Sequence, residues 1–284
     1  MPHPTLEQIV AGTGELSALP DSWHRIDAVL AHAAATTSQI ADALTSDPGL
    51  SARLLRMANS PMFGLAQRVE KLSQAVHLIG TRQLRELALA ATVVDLVAGG
   101  SGRKERIDAF LHHSTATGLY GRALASRRRE ANVERFFVAG LLHDLGGYAM
   151  ELAAPEVTVE SRRLASAKAL PIERAEQALL GYDHAAVGGA ILTRWRLPPS
   201  LVEPVAWHHQ PSAAPTQRIE AAVIHLASLA TSVLGIGGDG GVATPLDLRA
   251  WELLGITPDE LSPMATETEA ALGPMLGILV GDGA

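Results

Sequence analysis

The sequence contains no cysteine, so disulfide frameworks, cysteine-ligated zinc, iron–sulfur clusters and thiol nucleophiles are all excluded. Large aromatic side chains are scarce as well, because the 284 residues include only four Phe, three Tyr and four Trp. Alanine, by contrast, occurs 47 times, and alternation of β-branched residues is rare. Many small residues with few bulky core anchors are typical of closely packed helices, so the sequence predicts an all-α fold.

Long hydrophobic runs and an excess of positive charge are also absent. The most apolar stretch, residues 84–97, is shorter than the roughly 20 residues that a membrane span needs, and it includes Arg85, Glu86 and Asp95. The first ten residues lack the basic and apolar regions of a secretory signal, so we expect a cytoplasmic protein with no membrane partner. The 23 basic and 30 acidic residues give a formal net charge of −7, which argues against binding nucleic acid through bulk positive charge.

Capping residues and apolar spacing divide the chain into helices. Asp47-Pro48 predicts a helix N-terminus, and Asp183 predicts the start of a helix that runs to Trp195. Apolar residues at helical spacing predict one helix over 105–129 and a single continuous helix over 134–152. No repeat with a period of roughly 20 to 50 residues is present, so we do not expect a stacked-repeat architecture.

Glycine-rich stretches mark the predicted boundaries between parts of the chain. Residues 99–102 predict a boundary between an N-terminal helical subdomain, residues 1–100, and a second helical bundle, residues 101–235. Residues 236–284 are predicted to form a glycine-rich linker and a C-terminal helical extension. The linker glycines, within residues 237–241, are not followed by Lys-Ser or Lys-Thr, so this stretch does not match a phosphate-binding loop.

Histidine is the most informative residue type, because seven of the eleven histidines lie between positions 112 and 225. Imidazole and carboxylate groups are ligands for zinc, iron and manganese, and neighbouring helices of a bundle can bring such ligands together. The candidates are spread widely along the chain, so their convergence depends on the fold; they are His113, His143, Asp144, His184, His208 and His209. The alternative for the His208-His209 pair is a helix end whose dipole favours protonated histidine.

The densest basic run, Arg127-Arg128-Arg129, stands at the predicted C-terminal end of a helix. Such a run can contact nucleic acid or an acidic partner. Its position also suits cations that interact with the helix dipole. We therefore interpret the run as a solvated helix end, with a binding surface as the alternative.

Several motifs give the chain a resemblance to a known family. The run of residues 137–146, which contains His143 and Asp144, resembles the signature helix of the HD superfamily, named for an adjacent metal-binding His and Asp. The chain also resembles the HDOD domain, the HD-related output domain of bacterial signalling proteins, in residues 47–50, 54–60, 75–80, 183–188, 195–198 and 208–211. This resemblance covers roughly residues 15–235 and implies two packed helical subdomains, of which the second is an HD-like bundle.

The resemblance also implies a set of metal ligands. In metal-binding relatives, notably the HD-GYP phosphodiesterases that cleave cyclic di-GMP, the ligands follow the order His, His-Asp, His, His-His, Asp. The six candidates named above match the first six positions, and the implied cofactor is a divalent transition metal, either iron, manganese or zinc. The seventh position carries Ser228 instead of aspartate. Gly147 stands where active relatives usually have a lysine that neutralises phosphate.

These departures lead us to expect a non-catalytic protein of bacterial signal transduction. The resemblance implies a regulatory output module that contacts a signalling protein partner through a degenerate metal-phosphohydrolase scaffold. The alternative is a metal-dependent phosphohydrolase or cyclic di-GMP phosphodiesterase, and a third interpretation is a sensor that binds a nucleotide or a metal without turnover. A metal hydrolase needs ligands, an open position for water and positive charge opposite the developing phosphate charge, and the sequence offers only the ligands.

Overall fold

The computed structural model describes residues 3–100, 102–236 and 241–280. The described residues form α-helices and two short 3-10 turns without a strand, so the all-α prediction is confirmed. An isolated parallel bridge joins Pro171 to Val242. The helices are α1 (Leu6–Gly12), α2 (Asp21–Leu30), α3 (Thr37–Thr45), α4 (Pro48–Ala58), α5 (Leu72–Ile79), α6 (Thr81–Ala98), α7 (Lys104–Arg127), α8 (Glu134–Leu142), α9 (Leu145–Ala153), α10 (Pro155–Lys168), α11 (Ile172–Leu180), α12 (His184–Arg194), α13 (Pro199–Ala206), α14 (Arg218–Val233), α15 (Leu248–Leu254) and α16 (Pro258–Val280).

The chain divides into two compact units. We call Met1–Ala18 with Ser101–Thr268 the histidine unit, and Leu19–Gly100 with Glu269–Ala284 the aliphatic unit. The change of unit after residue 100 falls in the glycine-rich stretch that the sequence marks as a boundary. The division differs from the predicted one at both chain ends. The first 18 residues belong to the histidine unit and not to the N-terminal subdomain, and residues up to 268 of the predicted C-terminal extension belong to the histidine unit as well. Residues 237–240 of the predicted linker, and 281–284 of the predicted extension, lie outside the described residues.

The aliphatic unit forms around leucine-rich helix faces. As predicted, Asp47 caps α4, because its Oδ1 accepts a hydrogen bond from the Leu50 N–H at 3.0 Å and Pro48 occupies the first turn. Gly80 separates α5 from α6 with a φ of +97°, a backbone conformation that favours glycine. The side chains that this unit buries most completely are Leu44, Leu54, Met57, Leu84 and Leu87.

In the histidine unit, two pairs of helices touch at glycines. A Cβ added to Gly140 of α8 would lie 2.6 Å from the Gly118 Cα of α7. A Cβ added to Gly146 of α9 would lie 1.9 Å from the His184 carbonyl oxygen and 2.5 Å from the Gly188 N of α12. Since side-chain carbons do not pack at such distances, these glycines allow α7 to lie against α8, and α9 against α12.

The prediction of one continuous helix over 134–152 is wrong. Helix α8 ends at Leu142 and α9 begins at Leu145, and Asp144 between them has non-helical backbone angles of φ −98° and ψ 9°. Apolar residues continue through the break at helical spacing, so periodicity carries no sign of it. Because adjacent residues of a continuous helix point about 100° apart, the break allows His143 and Asp144 to face the same point.

The basic run ends α7, and Arg127 and Arg129 are exposed, as the interpretation of a solvated helix end predicts, whereas Arg128 is only partly exposed. Arg127 Nε lies 3.0 Å from Glu260 Oε1 at the start of α16. Arg128 pairs with Glu130 at 3.2 Å and also donates to the Leu254 carbonyl at the end of α15. The run therefore anchors the segment that carries α15 and the beginning of α16. Among the described residues, none of the helices combines the length and apolar character needed to cross a membrane.

Candidate metal centre

The six candidate ligands meet in the histidine unit, although they come from four separate places in the chain. His113 lies in the middle of α7, and His143 and Asp144 form the break between α8 and α9. His184 is the first residue of α12, whose start is fixed by the predicted Asp183 cap. His208 and His209 follow the end of α13, in a turn rather than in a helix. We call these six residues the histidine–aspartate cluster.

The carboxylate of Asp144 is the geometric middle of the cluster. Its Oδ2 lies 3.3 Å from His143 Nε2 and 3.6 Å from His113 Nε2. Its Oδ1 lies 3.3 Å from His184 Nε2 and 3.6 Å from His208 Nε2. His209 Nε2 lies 2.8 Å from His184 Nε2. Each carboxylate oxygen thus faces a different pair of imidazoles.

The ring orientations are set by hydrogen bonds on the side of each ring that faces away from Asp144. Backbone carbonyls accept from Nδ1 in three rings, at 3.0 Å for His113, 2.7 Å for His143 and 2.8 Å for His208; the carbonyls belong to Ile236, Gly140 and Val205, respectively. The Nδ1 of His184 donates to Glu176 Oε2 at 2.7 Å. Because carbonyl and carboxylate oxygens only accept, Nδ1 carries the proton in all four rings. In their neutral forms, these rings direct four Nε2 lone pairs at Asp144.

The electrostatics favour the protonation states that bind metal. Burial lowers the pKa of His143 to about 4, despite the nearby Asp144 carboxylate. Burial, together with the neighbouring imidazoles, also lowers the pKa values of His208 and His209 well below the ordinary histidine value. Burial would raise the pKa of Asp144, but His143 and His184 outweigh it and hold this pKa well below its usual value. Burial thus favours neutral His143, His208 and His209 beside an ionised Asp144, the forms in which these groups bind metal.

His184 differs from the other rings. Burial alone would lower its pKa, but the carboxylates of Glu176 and Asp144 outweigh burial and raise this pKa well above the ordinary value. Lone pairs that face an ionised carboxylate repel it, so the cluster requires positive charge. A proton on His184 or a metal cation among the lone pairs can supply that charge.

The cluster fits a metal by two structural criteria. The Nε2 atoms of His143 and His208 are buried and have no hydrogen-bond partner among the described residues, which is costly unless an ion engages them. Two ligands that each lie about 2.1 Å from one tetrahedral ion are about 3.4 Å apart, which is close to the 3.3 Å and 3.6 Å separations around Asp144. The ligand atoms fall into two groups of three, each within 4.8 Å of one another: His113, His143 and Asp144, and His184, His208 and His209.

Two buried glutamates of α11 support the cluster, and sequence reasoning missed both. Besides holding the His184 ring, Glu176 Oε2 accepts from the His184 backbone N–H at 2.9 Å. Glu173 is 2% exposed, and burial raises its pKa above the usual glutamate value. The Thr244 hydroxyl connects Glu173 to His209 Nδ1, which lies 3.2 Å from the hydroxyl. Outer carboxylates of this kind orient metal-binding imidazoles. The sequence feature that could have revealed both glutamates is their spacing of three residues on an amphipathic helix, which places them on the same face.

Two further histidines lie outside the two ligand groups, whereas Gly147, where the resemblance predicts a lysine, lies beside the cluster. His225 is buried but structural, because its Nδ1 donates to the His208 carbonyl at 2.7 Å and its Nε2 accepts from the Asp247 N–H at 3.0 Å. His112 does not join the two ligand groups among the described residues. Gly147 does face the cluster, since an added Cβ would lie 3.8 Å from the His184 Cβ, at ordinary contact distance.

Comparisons with known proteins agree with this architecture. The family model of the HDOD domain matches residues 16–211. A solved HDOD domain protein of Geobacter sulfurreducens is 24% identical, with a TM-score of 0.72 over 92% of this chain and 91% of that one. A solved, proposed phosphohydrolase of Shewanella amazonensis is 26% identical, with a TM-score of 0.72 over 96% and 98% of the two chains. An uncharacterized protein of Treponema pallidum is 24% identical over 204 residues, which make up 72% of this chain but only 39% of that relative.

Proposed function

This chain belongs to the HDOD domain family, and on that premise we propose that it is a regulatory signalling module built on a metal-binding HD scaffold. The histidine–aspartate cluster holds two divalent transition-metal ions, and the module acts by contact with a signalling protein partner instead of by turnover. The observation that carries the proposal is the orientation of four imidazoles, each held from outside so that its Nε2 faces the Asp144 carboxylate.

The two ligand groups would each hold one ion. His113, His143 and Asp144 would hold one, and His184, His208 and His209 the other, with the two oxygens of Asp144 facing one group each. Imidazole and carboxylate ligands suit iron, manganese and zinc. When bound, such ions polarise phosphoryl oxygens and lower the pKa of coordinated water.

A non-catalytic role is supported by what surrounds the cluster. Gly147 faces His184 without a side chain, so this position offers no cation for a phosphate. Ser228 provides a neutral hydroxyl where the sequence comparison predicts an anionic ligand. Phosphoryl transfer needs positive charge opposite the developing negative charge, so these departures weaken catalysis more than they weaken metal binding.

Elemental analysis of the purified full chain tests the metal proposal. We expect about two transition-metal ions per chain in wild type, about one in His208→Ala/His209→Ala, and none in His143→Ala/Asp144→Ala, because the last change removes ligands of the first group and the carboxylate between the groups. Asp21→Ala/His24→Ala is the matched control, since it removes one exposed aspartate and one exposed histidine of α2. Wild type purified without metal after metal-replete expression would contradict the proposal.

A metal-dependent phosphohydrolase is the second candidate function. It is favoured by the two ligand groups, which resemble a two-ion arrangement, and by the 26% identical proposed phosphohydrolase of Shewanella amazonensis. The test is release of product from cyclic di-GMP by metal-loaded wild type and by Gly147→Lys, which adds the missing cation at ordinary contact distance. The regulatory proposal expects no turnover in either protein. Metal-dependent turnover that rises about tenfold or more in Gly147→Lys would favour the hydrolase.

A further inference from the structure

The histidine unit contains a pocket that lies outside the histidine–aspartate cluster. It has a volume of about 390 Å³ and lies between the beginning of α7, the end of α9 and the first two turns of α10. Its lining contains none of the six cluster residues, and the charged side chains in it are Arg103, Arg106, Glu151 and Arg162.

Positive charge exceeds negative charge in this pocket. Arg106 Nε lies 3.4 Å from Glu151 Oε1, and Arg162 Nη2 lies 3.0 Å from Glu151 Oε2, so two arginines share one carboxylate. Arg103 is exposed and forms no ion pair with any residue that the structure describes. Among the lining residues, three guanidinium groups face a single carboxylate, and Glu15 nearby also acts on Tyr148, so the lining keeps guanidinium donors and a net positive charge for an anionic ligand.

Part of the lining is apolar. The apolar residues are Leu152, Pro155 and Val159, of which Val159 is 47% exposed. The Tyr148 hydroxyl also reaches the pocket, and burial raises the pKa of Tyr148 above its usual value, so the phenol stays protonated. A ligand that matches this lining combines an anionic group with an apolar or flat body.

We propose that this pocket binds a phosphate-bearing small molecule of nucleotide size. Arginine forks bind phosphate oxygens in pairs, and the uncompensated charge suits a phosphate group. The volume lies within the range of about 300 to 1,000 Å³ that is usual for small-molecule sites. Such a site is separate from the metal proposal, because it needs none of the cluster residues.

Helix α9 connects the pocket to the cluster. Asp144 immediately precedes α9, and Tyr148, Glu151 and Leu152 of the same helix line the pocket. At 1.5 Å per residue, seven residues of helix place Glu151 about 10 Å along the axis from Asp144. A ligand in the pocket therefore contacts the element that positions the central carboxylate of the cluster.

Calorimetric titration of the full chain with AMP, adenosine and inorganic phosphate, at one fixed ionic strength, tests the proposal. We expect AMP to bind more tightly than inorganic phosphate, which lacks the apolar body, and more tightly than adenosine, which lacks the charge. Arg103→Ala/Arg162→Ala should raise the Kd for AMP at least tenfold. The matched control Lys104→Ala/Arg163→Ala, which removes the same charge at exposed neighbouring positions outside the lining, should change it less than twofold.

Two further variants keep the test decisive. Val159→Asp places a negative charge in the pocket at a half-exposed position, so it should also raise the Kd for AMP at least tenfold, whereas Val233→Asp, at a 74% exposed position on α14, should not. AMP binding that persists in metal-free His143→Ala/Asp144→Ala would place the site outside the cluster, whatever the fate of the metal proposal. The proposal would be overturned if wild type did not bind AMP, or if the pocket variants and the control variants weakened AMP binding equally. Loss of AMP binding in His143→Ala/Asp144→Ala would overturn it as well.

Discussion

Of the 18 polar or charged residues that are buried among those described, 17 lie in the histidine unit and one, Ser60, lies in the aliphatic unit. The described parts of both units are built from helices. In the aliphatic unit, burial removes leucine and methionine side chains from water, which stabilises the fold directly. In the histidine unit, the same kind of helices surround groups whose burial costs free energy unless they are paired. Helical packing thus buries apolar side chains in both units, and in the histidine unit it also holds a site.

The largest expected effect concerns the aliphatic core. Leu54 is fully buried in α4, so Leu54→Ala should lower the free energy of unfolding by about 4 kcal/mol through lost burial and a cavity. The metal content of the folded protein should stay unchanged. Chemical denaturation measures the free energy of unfolding, and elemental analysis of the same sample measures the metal content. A loss of metal that accompanies the loss of stability would contradict the assignment of the site to the histidine unit alone.

A glycine in each unit provides the next comparison. Gly146→Ala should cost about 3 kcal/mol, because the new Cβ would overlap the His184 carbonyl oxygen at 1.9 Å. Gly49→Ala in α4 of the aliphatic unit should be neutral or stabilise by up to about 1 kcal/mol, because its Cβ would meet only Asp47 Oδ1, at 3.4 Å. Thermal unfolding of both variants checks the pair, and equal costs would contradict the close contact of α9 with α12.

The pH dependence of stability should arise in part from His143. Burial holds the pKa of His143 at about 4 in the folded protein, below the ordinary histidine value of 6.5, so the unfolded chain takes up this proton first as the pH falls. The stability that neutral His143 contributes is therefore lost as the pH drops from 6.5 towards 4. In metal-free protein, His143→Leu should reduce the loss of unfolding free energy between pH 7 and pH 5 by about 2 kcal/mol.

Leu54→Ala is the control for that measurement, because it changes stability without removing a titratable group. Between pH 7 and pH 5, Leu54→Ala should lose as much unfolding free energy as wild type does. The raised pKa of His184 acts in the opposite direction, since its contribution is present below the unfolded pKa and declines as the pH rises through the folded value. His184 is present both in wild type and in His143→Leu, so its contribution enters both measurements. An unchanged pH dependence in His143→Leu would contradict the assignment to His143.

The smallest expected effect concerns Glu176. Glu176→Gln keeps the shape of the side chain but removes the charge that holds His184 Nδ1 at 2.7 Å, so metal affinity should fall about tenfold. Competition with a chelating dye measures the affinity. Glu156→Gln, at an exposed position of α10, should leave it unchanged, and an unaltered affinity in Glu176→Gln would show that the outer carboxylate does not tune the cluster.

The sequence predicted helix starts well because they depend on local chemistry. Asp47 and Asp183 cap their helices as expected, through bonds to the N–H groups three residues on. The break at His143 and Asp144 could not be predicted in this way, since apolar spacing continues across it. Whether the chain ends join one unit or another is decided by tertiary contacts such as Arg127 with Glu260, which no local pattern encodes.

The candidate site was predictable in part. The six cluster residues were available from the resemblance, and the structure brings them together, whereas their role as metal ligands stays a prediction. Glu176 was missed because a glutamate on an amphipathic helix is usually on the solvent face, and its burial depends on the position of His184. The arginine pocket was missed because Arg103 and Arg162 are 59 residues apart in the sequence and meet only through the packing of α7, α9 and α10.

The glycine contacts limit how the cluster can change shape. Because α7 and α8 approach closely at Gly118 and Gly140, a side chain at either position would push α7 away from α8, and with them His113 away from His143. The contact of α9 with α12 at Gly146 ties His184 to α9 in the same way. The His143–Asp144 break is the chain joint between α8 and α9, and it carries two residues of the first ligand group. If the cluster binds metal as proposed, an influence that bends this joint would change the metal affinity, and by reciprocity metal would change the bend by the same coupling free energy.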